Sequence, residues 1–228
     1  MDIEFNLKQI RAKIEESARK ANRDPDEIRL IAVTKYVSAE QINQALACGI
    51  TDIAESRVQN ALTKLPLIQT GITKHFIGTL QTNKVKPVIE NFDLIHSVDR
   101  MSLVEELAKQ ADKLGKRVSF LIQLNISGEA TKHGLDPDEL PGFIDNLTHY
   151  SNLEPCGLMT MAPLEADPEA VRPVFRKLKE LFDKYAQRAD ILPKWRFLSM
   201  GMSQDYQIAI EEGSNMVRIG TAIFNSHK

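Results

Sequence analysis

Ile28-Arg29-Leu30-Ile31-Ala32-Val33-Thr34 is a short, largely apolar run of strand length, and Ser38-Ala39-Glu40-Gln41 follows it. In the second segment Ser38 and Gln41 stand at capping-box spacing, so each side chain can satisfy a backbone N–H at a helix start. Strand followed by helix is thus the first unit of the chain. The same unit recurs downstream. Further apolar runs lie at Asp52 to Ala54, His75 to Ile77, Leu94 to Val98, Val118 to Asn125, Leu153 to Met159, Phe197 to Met200 and Met216 to Ile219. Helical patterns fall between them. Leu103 to Leu114 is one. Another is Val171 to Tyr185, with Asp167 and Pro168 as the expected N-cap and first residue, and Pro173 marking either a different true start or a kink. Ahead of the first strand, Ile3, Leu7, Ile10, Ile14 and Ala18 recur at helical spacing and predict an opening amphipathic helix.

Eight strand candidates alternating with helices imply a parallel sheet. A closed (β/α)8 barrel takes about 250 residues, and 228 residues accommodate one as a single domain over 1–228. An open doubly wound sheet is the alternative. It is weakened by the lack of a G-x-G-x-x-G turn after the first strand.

Composition narrows the function. The net charge is −2, from 29 Lys and Arg against 31 Asp and Glu, without the basic excess of a nucleic-acid binder. The amino terminus has no apolar signal core, and no run approaches the roughly 20 apolar residues of a membrane span. Two cysteines, Cys48 and Cys156, suggest no disulfide framework. The expectation is a cytoplasmic protein. The five histidines form no i, i+4 pair and neither cysteine has a C-x-x-C partner, so no metal is expected.

In a (β/α)8 barrel the chemistry lies at the carboxyl ends of the strands. Lys35 follows the first strand, where a desolvated amine could attack a carbonyl; a surface lysine is the plain alternative. Ser199-Met200-Gly201-Met202-Ser203 follows the seventh strand, with a helix expected to start near Ser203, and Gly220-Thr221 follows the eighth. These adjacent loops are where barrels often bind phosphate. Arg218 alternates with Val217 and Ile219 and can point into the barrel, where it needs an acceptor. A neutral ring nitrogen would serve. His75 shares strand parity with Ile77 and is read either as a base or, more simply, as a satisfied core histidine.

Together these segments resemble the pyridoxal phosphate homeostasis protein family. The resemblance rests on Leu30 to Lys35, His75 to Gly78 with Leu80-Gln81 and Asn83-Lys84, Asn125 to Ser127 with Lys132 and Gly134, and Gly157 to Met161. Leu198 to Ser203 and Val217 to Thr221 complete it. It implies a single barrel like the amino-terminal domain of alanine racemase. It further implies pyridoxal 5′-phosphate (PLP) as cofactor, Lys35 as its Schiff-base lysine, and Ser199, Gly201, Gly220 and Thr221 near the phosphate. Arg218 would lie near the pyridine nitrogen. Met200, Ile77 and His75 are further candidate contacts. One departure stands out: the family's Gly-Glu-Asn after strand two is Ala54-Glu55-Ser56 here, and a serine is too short to repeat an asparagine contact.

An arginine at the ring nitrogen keeps that nitrogen unprotonated and weakens the ring as an electron sink. With the eight-stranded barrel spread over 1–228, no second domain of the racemase kind is expected. The expectation is a monomeric PLP-binding protein of amino-acid and keto-acid balance, with PLP-requiring apoenzymes as possible partners. A slow, broad racemase and a Schiff-base aldolase on a phosphorylated substrate are the alternatives.

Overall fold

The computed structural model describes residues 2–129, 133–163, 167–188 and 192–225. Lys132, named above, and one of the five histidines, His227, lie outside the described residues. Eight parallel strands close into a barrel in sequence order. They are β1 (Arg29–Val33), β2 (Asp52–Glu55), β3 (Thr73–Phe76), β4 (Leu94–Val98), β5 (Val118–Gln123), β6 (Leu153–Met159), β7 (Phe197–Ser199) and β8 (Met216–Ile219). The closing pair is β1 with β8, in which Ile31 sits opposite Arg218. The open-sheet alternative is thereby excluded.

Helix α1 (Ile3–Lys20) precedes β1, and its buried Ile3, Leu7, Ile10, Ile14 and Ala18 are the periodic set the sequence displays. Asp2 caps it, accepting from the Phe5 N–H at 2.9 Å. Helix α2 (Ala39–Ala47) starts with both capping-box bonds formed, Gln41 N–H to Ser38 Oγ at 3.3 Å and Ser38 N–H to Gln41 Oε1 at 3.0 Å. The helices α3 (Val58–Lys64), α4 (Val85–Asn91), α5 (Met101–Leu114) and α6 (Leu140–Leu147) follow their strands in turn.

The expected start of the next helix is corrected. Asp167 caps a 3-10 turn over Pro168–Val171, and α7 (Arg172–Ala186) begins only after it. Pro173 therefore sits in the first turn, where its missing N–H costs nothing and produces no kink. The helix expected near Ser203 begins later, as α8 (Tyr206–Glu211), and α9 (Thr221–Phe224) follows β8 directly.

Strand alternation separates two layers. Outward residues such as Phe76, Ile95, Phe120, Ile122 and Leu158 pack beneath the helices in one continuous apolar cluster with Leu107, Phe175 and Leu178. A second cluster joins α1 to Ile210, Ile223 and Phe224. The inward residues form a smaller apolar group of Ile31, Ala54, Leu94, Leu121, Cys156, Met159 and Met216. The rest of the interior is polar. Among the described residues, no helix is long and apolar enough to cross a membrane.

Candidate functional site

A chain of hydrogen bonds runs through the polar part of the barrel interior. Asp52 opens β2 and bonds through Oδ1 to His75 Nε2 at 2.9 Å. His75 Nδ1 meets His96 Nε2 at 2.9 Å, and His96 Nδ1 meets Ser199 Oγ at 3.0 Å. Arg218 Nη1 donates to Ser199 Oγ at 2.5 Å, and Arg218 Nη2 donates to the Thr160 carbonyl at 2.9 Å. None of these five side-chain partners is more than 7 % exposed. Strand parity puts them together: His75, His96, Ser199 and Arg218 all fall on inward positions of neighbouring or facing strands.

Burial lowers the Arg218 pKa to about 10, with the Asp205 carboxylate opposing the shift. Arg218 is therefore still a cation at neutral pH. Among the described residues, two of its five N–H groups are taken, by Ser199 and Thr160. Both partners stand at the carboxyl ends of their strands, so the guanidinium lies across the mouth of the barrel. Burial holds the His96 pKa well below its ordinary value, reinforced by His75 and Arg218, and the ring is neutral. Burial works against the Asp52 carboxylate, but the hydrogen bonds from His75 and Thr51 outweigh it and keep its pKa low.

The loops after β7 and β8 meet beside this cation. Ser203 Oγ accepts from the Ala222 N–H at 3.4 Å and ties the loops together. Asp205 accepts from the Met202 N–H at 2.6 Å and sets the turn before α8. Gly201 has φ +95°, and a Cβ there would stand 2.6 Å from the Ala209 Cβ. Its first role is thus to let α8 close onto β7. Gly220 packs against β1, where a Cβ would approach the Val33 carbonyl to 3.1 Å. Thr221 starts α9, so its N–H has no acceptor within the helix.

Several expected residues fall elsewhere than the sequence suggested. Ser199 does not face the loops with a free hydroxyl: the hydroxyl belongs to the internal chain. Met200 is fully buried under the helices, so its side chain is a core group and any ligand contact there is through backbone. His75 is a satisfied core histidine one layer below the mouth. Ile77 and Val33 are half-buried members of the inner apolar group and line the mouth. Lys35 is exposed, not desolvated, with Nζ 5.1 Å from the centre of the Tyr36 ring. Strand β1 ends at Val33, and the chain turns as Thr34 bonds across to Ala54 O and Glu55 Oε1. Lys35 thereby leaves the strand direction two residues beyond Val33.

Four participants were missed by the sequence reading. Asp52 and His96 were legible as polar residues at inward positions of apolar strands. Glu55 and Lys64 were not. Glu55 is buried and bonds to Lys64, whose ammonium also donates to the Thr34 carbonyl at 2.7 Å, bracing the Lys35 turn from beneath.

The alanine racemase amino-terminal domain model matches residues 5–227. A protein of Aquifex aeolicus named pyridoxal phosphate homeostasis protein is 39 % identical over 224 residues, covering 97 % of each chain. The chain belongs to the pyridoxal phosphate homeostasis protein family. The member from Escherichia coli is 38 % identical over 229 residues, covering 99 % of this chain and 97 % of its own. Among solved structures, PipY of Synechococcus elongatus with PLP bound superposes with a TM-score of 0.86 at 32 % identity. That match covers 98 % of this chain and all of PipY. Alanine racemase of Clostridium difficile, at 17 % identity and TM-score 0.75, shares the barrel fold. This chain covers 60 % of that enzyme.

Proposed function

We propose that the chain binds PLP across the carboxyl-terminal mouth of the barrel and serves to hold and release it within the cell. The observation that carries this is Arg218. A buried cation keeps N–H groups in reserve at the strand ends, beside two loops tied by Ser203 and a glycine packed onto β1. A neutral ring nitrogen and a phosphate are the complementary groups. When bound, PLP supplies an aldehyde that a lysine amine can take up and a ring that can withdraw electrons.

Each part of the site has one task in this reading. Arg218 donates to the ring nitrogen and, as a permanent cation at working pH, keeps it from taking a proton. The backbone at Gly201, Ser203, Gly220 and Thr221 receives the phosphate. Ile77 and Val33 pack against the ring. Lys35 supplies the amine, held in its turn by Lys64 and Glu55. Its exposure leaves the attachment point open to solvent, which suits exchange with free amines and transfer to apoenzymes better than protected turnover.

The test is a PLP titration followed in the visible band, with Arg218→Leu alongside. Hydrogen bonds to charged groups contribute about 1.5–3 kcal/mol, so the variant is expected to bind at least about tenfold more weakly. Equal binding by both would refute the site. Transfer of bound PLP to a PLP-requiring apoenzyme, with no racemisation of amino acids, would separate the carrier reading from the enzyme reading.

A further inference from the structure

The internal chain of hydrogen bonds has its ends on opposite faces of the barrel. Arg218 and Ser199 lie at the carboxyl ends of the strands. Asp52, the first residue of β2, lies at the amino ends. There it borders a cavity of about 890 Å³ with Arg11, Arg29, Thr51 and Thr73. Arg29 Nη1 stands 3.5 Å from Asp52 Oδ1, and Thr51 Oγ1 donates to Oδ2 at 2.7 Å.

With both rings neutral, donor and acceptor rules give the chain one direction. An ionised carboxylate only accepts, so His75 Nε2 carries the proton it donates to Asp52. A neutral imidazole has one donor and one acceptor nitrogen. His75 Nδ1 therefore accepts, His96 Nε2 donates to it, and His96 Nδ1 accepts from the Ser199 hydroxyl. With its own proton spent on His96, Ser199 Oγ can only accept, and it accepts from Arg218 Nη1. The opposite polarity would need a charged ring at His75, 1 % exposed, and would direct two donors, from His96 and Arg218, at Ser199 Oγ.

We infer that Asp52 is a remote positioning residue for Arg218. The carboxylate fixes the proton on each ring in turn, the rings fix the Ser199 hydroxyl, and the hydroxyl fixes Nη1. The remaining guanidinium N–H groups are thereby aimed at the mouth before any ligand arrives. A change confined to the far face of the barrel is then felt at the cofactor site, through side chains that never touch the cofactor. The effect on PLP rests on the function proposed above; the direction of the chain does not.

The test uses the full-length protein labelled with 15N-histidine. Long-range nitrogen–proton correlation spectra of the wild type should show His75 and His96 as neutral rings protonated on Nε2. Asp52→Ala should scramble those tautomers and weaken PLP binding about tenfold, the usual order for losing a supporting hydrogen-bond partner. Asp52→Asn, whose amide oxygen can still accept from His75, should keep the tautomers and bind within about threefold of wild type. A wild-type His96 protonated on Nδ1, or a folded Asp52→Ala that binds PLP like the wild type, would overturn the inference. The wild-type spectrum needs no variant and decides the chain's direction even if Asp52→Ala does not fold. A wild type with these tautomers that binds no PLP would refute the proposed function and leave the direction of the chain standing.

Discussion

The two sides of the barrel wall are built to different rules. The outer side, between strands and helices, is mostly apolar, with Phe120, Phe175, Leu103 and Leu107 fully buried in one cluster. The inner side mixes a small apolar group with a buried cation, a buried anion, two imidazoles and a hydroxyl. Fully burying a large apolar side chain contributes about 1.5–3 kcal/mol. A buried ion is stabilising only when fully paired, and an apolar substitute is often as good for stability. The outer side therefore holds the fold, and the inner side carries a polar arrangement that stability alone does not require.

Variants on the two sides should separate accordingly. Phe175→Ala, on the outer side, should cost about 3–5 kcal/mol by urea denaturation. The protein that remains folded should bind PLP with unchanged stoichiometry; loss of binding at full stability would break the division. Gly201→Ala strikes the joint between the two sides, where a positive φ and the Ala209 contact both resist a side chain. A cost of about 1–3 kcal/mol is expected together with weaker PLP binding.

The inner side should also show itself through pH. The folded-state pKa of His96 lies below its ordinary 6.5, so the unfolded chain takes up that proton first. The contribution is complete above pH about 6.5 and is lost as pH falls below it, by up to about 1.4 kcal/mol per unit. Stability measured between pH 7.5 and 5 should show this slope, and His96→Gln should lack it. Asp52, with a lowered pKa, acts only nearer and below its ordinary 3.8 and leaves that window clear. The smallest effect is expected at Lys35→Ala. An exposed side chain outside both layers should change stability by no more than about 0.5 kcal/mol, while removing covalent PLP uptake.

The fold was legible because strand alternation and capping are local. Ser38 with Gln41, the periodic face of α1 and the eight apolar runs each announce their element without knowledge of the rest. Strand parity likewise pointed Arg218 inward. What escaped was long-range or set by turns. Ser199 reads as a loop hydroxyl until His96, far away in sequence, is brought to 3.0 Å. Lys35 reads as either a desolvated lysine at the barrel mouth or a surface lysine until Thr34 turns the chain toward Glu55. Pro173 reads as either a kink or a different helix start until the 3-10 turn at Pro168–Val171 moves the start to Arg172. Met200 was placed in the site by its neighbours in sequence, although its own parity sends it outward.

The most direct test of the central claim is borohydride reduction of the PLP-loaded protein, followed by mass mapping of the modified residue. The account predicts a single reduced pyridoxyl group on Lys35 and none in Lys35→Ala. A pyridoxyl group on another lysine, or no adduct and no visible band after PLP is added to the wild type, would contradict it.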